Sequence, residues 1–168
     1  ASALQVALTT ADSTSTTDTV TNVGTLEVTG TEQGATVEFS TDGGQNWSTS
    51  FIAQEGVNNV QVRQTDASGN VSPAASISFT LDTQVATPTV ALSNDTGKAG
   101  DLVSTDGTLN VTGTEQGATI EYSTDGGHSW QNSFTPQPGQ NTVEVRQTDA
   151  AGNVSQPASL TFTLDNTA

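Results

Sequence analysis

Cysteine and methionine are absent from these 168 residues, histidine occurs once, and only Arg63, Lys98 and Arg146 are basic. Without cysteine there are no disulfides, so stability must come from a buried core or from bound metal. Three basic residues against 18 acidic ones leave a net charge of -15. Such a surface repels phosphate backbones and anionic lipid, and nucleic acid is not an expected partner. No apolar run approaches the length of a membrane span, and direct membrane insertion is not expected. No secretory leader opens the chain, which reads as an excerpt of something longer.

What is present is short runs of Val, Ile, Leu, Phe and Thr in alternation, separated by Thr, Ser, Asn, Asp and Gly. With 32% hydrophobic residues, that pattern predicts an all-β protein rich in turns. The chain also repeats itself. Shifted by 83 residues, "GTEQGATVEFSTDGG" becomes "GTEQGATIEYSTDGG" and "VQVRQTDASGNVS" becomes "VEVRQTDAAGNVS". Between Gly24 and Thr83, 41 of 60 positions match their partners without a gap, so the two halves are copies of one unit. Each copy holds its own set of apolar strands, which predicts two tandem domains, 1–83 and 84–168.

Within the first copy the period-two pattern places strands near Leu4 to Leu8, at Thr25 to Gly30, at Thr36 to Ser40, at a short return carrying Trp47, near Phe51, through Val60 and Val62 to Asp66, and over Ile77 to Leu81. About seven short strands in about 80 residues is the pattern of an immunoglobulin-like Greek-key sandwich. An odd number of alternating strands puts the termini at opposite ends, so the domains would string head to tail.

The stretch "STDGGQNW" (Ser40 to Trp47) fits the spacing S-x-D-x-G-x-x-W, which resembles the Asp-box on the blades of sialidases and related propellers. A propeller needs several four-stranded blades, and a sialidase needs an arginine cluster with a tyrosine nucleophile. Here each copy has one Arg, and Tyr122 faces Phe39 in the other copy. The motif is therefore read as a hairpin staple, with Asp42 bonding the turn amides and Trp47 closing the core or one end of the sandwich. His128 is matched by Gln45, so no shared mechanism uses it, and no nucleophilic triad or phosphate loop can be assembled. An enzyme is not expected. A module that binds carbohydrate or protein through its loops and Trp47 or Trp130 is the alternative function.

The remaining carboxylates recur in specific loops. Asp12 and Asp18 lie in the loop after the first strand, Asp66 and Asn70 in "TDASGN", and Asp82 in the closing "LDT"; their partners are Asp95, Asp101, Asp149, Asn153 and Asp165. Glu32 and Glu115 repeat in "GTEQGA". Strand alternation brings Asp82 toward Asp12 and Asp18 at one end of the first domain, facing Glu115, Asp149 and Asn153 of the second across a short linker. Bare carboxylates so gathered would repel, and a calcium ion with six to eight oxygen ligands would relieve that repulsion. Asp66 and Asn70 are equally readable as turn formers, and Asp42, Asp106 and Asp125 read as plain turn residues.

Together, "NDTGKAGDLVSTDGTLNVTGT", "YSTDGGHSW", "VRQTDAAGNVS" and "FTLD" resemble the bacterial Ig-like repeats of giant RTX-type adhesins and biofilm-associated surface proteins. The resemblance implies an extender that projects a distal adhesive domain for attachment and biofilm formation, stiffened by calcium between domains. It also implies a monomer whose partners are neighbouring repeats of the same chain, exported from Gram-negative cells by type I secretion to the cell surface. Carried over by position, the motif aspartates are Asp95 and Asp101. The first copy departs from the pattern, since "ADSTSTTD" lacks the glycine after Asp12 and Val23 stands where the second copy has Asp106.

Overall fold

The structure is a computed structural model that describes residues 1–9 and 19–167. It is all-β, with no helix among the described residues. The chain forms two compact units, one over Ala1–Gln84 with Ala150–Gly152 and one over Val85–Asp149 with Asn153–Ala168.

The first unit holds β1 (Gln5–Leu8), β2 (Val20–Thr21), β3 (Leu26–Thr29), β4 (Thr36–Ser40), β5 (Gly56–Thr65) and β6 (Ala75–Leu81). Four of these form one sheet in the order β2-β6-β5-β4, and β1 pairs with β3 in a second. The other unit repeats both sheets with β7 (Thr89–Leu92), β8 (Val103–Ser104), β9 (Leu109–Thr112), β10 (Thr119–Ser123), β11 (Gly139–Thr148) and β12 (Ala158–Leu164). Each unit is thus a sandwich of a four-stranded and a two-stranded sheet.

Alternation decides which side chains face inward. Along β5, Val60, Val62 and Gln64 are buried while Gln61 and Arg63 face outward. Val60 and Val62 meet Phe79 and Leu4 in the core, with Leu26, Val37, Phe39, Phe51 and Leu81 packed around them. Phe51 is the hinge of an aromatic stack, 6.1 Å from Phe39 and 6.4 Å edge-on from Phe79. Tyr122, Phe134 and Phe162 repeat the arrangement.

Two local expectations are corrected. The loop after the first strand contains a strand of its own: β2 and β8 run parallel to the ends of β6 and β12, with Thr21 opposite Leu81 and Ser104 opposite Leu164. Two residues are too few to give a period-two signal. Conversely, the strand expected near Phe51 does not form. The side chain of Asn58 takes up the backbone of Gln54, accepting its N–H at 2.9 Å and donating to its carbonyl at 2.7 Å. Asn141 treats Gln137 in the same way, and Pro136 and Pro138 remove two further donors there. Those backbone groups are no longer free to join a ladder.

Candidate functional site

The "STDGGQNW" hairpin is a closed hydrogen-bond unit. Ser40 donates its hydroxyl to Asp42 at 2.8 Å and accepts the Gly44 amide at 2.9 Å. Asp42 accepts the amides of Gln45 and Asn46 and the Asn46 carboxamide. Gly43 and Gly44, at φ 75° and 87°, supply the left-handed turn these bonds need. The Asn46 amide and carboxamide, with the Ser40 hydroxyl, hold the Asp42 carboxyl down from the ordinary 3.8 to about 2. In the second copy the Ser129 hydroxyl and amide, with the Ser123 hydroxyl, hold the Asp125 carboxyl well below the usual carboxylate range.

The tryptophan, expected to close the core or one end of the sandwich, lies outside the core. Trp47 is half-buried, bonds the Gly44 carbonyl through Nε1 at 3.0 Å, and lies under the Arg63 guanidinium, 4.0 Å from the ring centroid. Arg63 in turn donates through Nε to Glu38, its partner across the β4–β5 ladder, at 3.0 Å. Since Arg63 projects outward from β5, the indole is stapled to the outer face of the sheet. Trp130, Arg146 and Glu121 are placed alike. One ring face is therefore already occupied, which leaves a poorer platform for stacking on a sugar.

The predicted cation ligands fall into three settings. Asp12 and Asp18 lie outside the described residues. Glu115, Asp149 and Asn153 belong to turn networks: Glu115 accepts the Ala86 amide at 2.9 Å, and Asp149 accepts both the amide and the carboxamide of Asn153 at 2.8 Å. Asp66 and Asn70 make the same turn, and the Asn70 carboxamide and amide hold the Asp66 carboxyl down to about 2. Asp82 donates its amide to the Thr21 carbonyl and accepts the Gln84 amide at 3.1 Å.

Ser104 bonds Asp165 directly and the neighbour of Asp95, while Asp101 bonds the residue before Ser104. The Ser104 carbonyl accepts the Asp165 amide, and its hydroxyl donates to the Asn94 carbonyl at 2.7 Å, next to Asp95. Asp101 accepts the Val103 amide at 3.0 Å. Asp95 accepts the Gly100 amide through one carboxylate oxygen, while the other, Oδ1, is buried without a hydrogen-bond partner. Between Asp101 and Val103, Leu102 is held at φ 58°, a left-handed conformation that costs a leucine about 1–2 kcal/mol. Its carbonyl is fixed there by the Thr163 amide at 2.8 Å.

A buried carboxylate oxygen with no donor fits a hard cation. Among the described residues, however, no three acidic or histidine side chains form a cage of their own. Backbone carbonyls would have to complete any calcium shell here, as calcium's tolerance of mixed oxygen ligands allows.

The polar residues that organise each unit were not singled out from the sequence. Gln64 and Gln147 are wholly buried. Gln64 accepts the Glu32 amide and donates to the carbonyls of Ser2 and Gly30; Gln147 accepts from Glu115 and donates to Ala86 and Gly113. The available signal was their recurrence at an inward position of an alternating strand, two residues beyond "VQV" and "VEV".

A family model described as a bacterial Ig-like domain matches residues 83–166, half of the chain, and the chain belongs to that family. Among solved structures, the fibronectin(III)-like modules of CbhA from Clostridium thermocellum are similar, at 15% identity over 95% of this chain and 94% of that chain, with a TM-score of 0.47. No curated protein matches.

Proposed function

We propose that the chain is a structural extender of a bacterial surface adhesin, carrying a distal adhesive domain away from the cell for attachment and biofilm formation. The observation that carries this reading is the duplication of the whole supporting network. The hairpin staple, the tryptophan under its arginine, the buried glutamine and the Asn58-type cap each occur twice, at the same places in both units. Duplication of what holds a unit together, beside a His128 that the other copy lacks, suits a spacer built from repeats.

Calcium is the finer part of the proposal. Asp95 through its unpartnered Oδ1, with Asp101, would hold it in the second unit, and its charge would offset the surplus of carboxylates. The Asp82 position and its counterpart Asp165 are further ligands in this reading. The cell-surface location in a Gram-negative host, and neighbouring repeats as partners, follow from the adhesin resemblance and belong to the same proposal.

Calorimetric titration of calcium into EDTA-treated protein tests it, with Asp95→Asn and Asp82→Asn alongside. Saturable binding between about micromolar and millimolar strength, weakened by either substitution, is expected. Small-angle scattering of the pair should change on adding calcium. Absence of both heat and scattering change would remove calcium stiffening and leave a plain spacer.

A further inference from the structure

We propose that each unit carries a docking edge for an extended, cationic peptide strand, at β3 in the first unit and β9 in the second. Among the described residues the two-stranded sheets are open: β3 pairs only with β1, and β9 only with β7. The Thr9 amide bonds the Thr25 carbonyl, and Leu8 lies opposite Leu26 in the register. Antiparallel pairing alternates hydrogen-bonded and non-bonded pairs. Thr29 and Glu27 therefore bond toward β1, while the N–H and C=O of Leu26 and Val28 point to the open side. The Ser93–Thr108 bond fixes the same phase in the second unit, where Leu109 and Val111 point outward.

Beside each open edge runs a groove. In the first unit it measures about 430 Å³ and is lined by Leu26, Phe39, Phe51, Ile52 and Leu81; in the second it measures about 520 Å³, with Leu109, Tyr122, Phe134 and Leu164 in the corresponding places and Pro136 where the first unit has Ala53. Aromatic side chains that would be covered in a completed sandwich are half-open here. Just beyond the residues that line each groove, Asn58 and Asn141 cap the backbone of Gln54 and Gln137.

The occupant follows from these features. Unpaired backbone groups in a row call for another main chain, and a groove alongside calls for apolar side chains at alternate positions. A strand of four to six residues matches the four of β3. The charge selects its sign. At -15, with Glu27 on the edge strand itself and Asp106 lining the second groove, a second copy of this chain is repelled and a lysine- or arginine-bearing strand is attracted.

The experiment uses the full chain and a fluorescein-labelled peptide of alternating valine and lysine at near-physiological salt. Fluorescence anisotropy should show saturable binding. A peptide of the same sequence, N-methylated at alternate residues to remove its donors, should bind at least tenfold more weakly. Amide exchange at Leu26, Val28, Leu109 and Val111 should slow in the complex. Ile52→Lys, at a position 78% exposed and so without consequence for folding, should weaken binding in the first unit. Equal binding of the N-methylated peptide would mean charge attraction alone and would overturn the proposal. So would protection elsewhere in the chain, no binding at millimolar peptide, or a dimer of the protein formed through the same amides.

Discussion

Gln64 accepts the backbone amide of Glu32 at 2.8 Å from a position with no solvent exposure, across 32 residues of sequence. The same carboxamide donates to Ser2 and Gly30, so one side chain satisfies three backbone groups from separate segments. Replacing it with leucine keeps much of the volume and strands those groups. Gln64→Leu is expected to cost about 1–3 kcal/mol, since the bonds it removes are only part-buried and water can reach some of the groups they leave. Urea denaturation of the first unit reads this directly; a loss below about 1 kcal/mol would mean water replaces the amide without penalty.

Arg63 and Trp47 should be energetically coupled. A double-mutant cycle with Arg63→Ala and Trp47→Phe is expected to give about 0.5–1 kcal/mol, the range for a partly exposed cation–π contact. Arg63→Lys should recover little of it, since the ammonium lacks the planar face that covers the indole. Zero coupling would show that the two are merely adjacent.

Acid should loosen the hairpins. The Asp42 carboxyl is lowered in the folded state from 3.8 to about 2, so its contribution is complete above pH 3.8 and lost as pH falls through about 2. Asp66 acts in the same window and the same direction. Thermal unfolding followed from pH 5 to pH 2 should show the melting temperature of the parent falling more steeply than that of Asp42→Asn, which starts lower at pH 5. Parallel curves would disprove the linkage.

Gly24 is required by closeness and not by backbone angle. A Cβ there would lie 2.4 Å from the Cβ of Ala53. Gly24→Ala should destabilise by about 1–3 kcal/mol, the usual cost of overpacking. Adding Ala53→Gly should return most of that, which a stability measurement on the pair decides. In the second unit the clash would be with Pro136, at 2.6 Å.

Much of the architecture was legible because it depends on local pattern. The period of two over "VQVRQT" sets Val60 and Val62 inward and Arg63 outward whatever they pack against. The "DGG" turn likewise carries its own geometry, and Asp42 bonds where its spacing implies. The place of Trp47 was left between the core and one end of the sandwich because its size argues for burial, whereas the decisive fact is an arginine sixteen residues later on the outward side of a neighbouring strand. The strand near Phe51 was over-read for a similar reason: the residue that cancels it, Asn58, acts by folding back across a turn.

Of the candidate cation site, the sequence supplied the acidic residues and their recurrence, and nothing about which oxygens lack donors. Asp149 and Asp95 look alike in sequence, yet Asp149 has both oxygens bonded by Asn153 while Asp95 keeps one buried and unpartnered. By itself the sequence determined the longer strands, the turns, the acidic surface and the existence of two equivalent units, because each rests on short-range periodicity, composition or self-similarity. Only the tertiary structure decided the parallel pairing of β2 and β8, the buried glutamine ties and the open edges of β3 and β9. These depend on hydrogen bonds between residues far apart in the chain, and the direction of such bonds is fixed only once the strands are laid side by side.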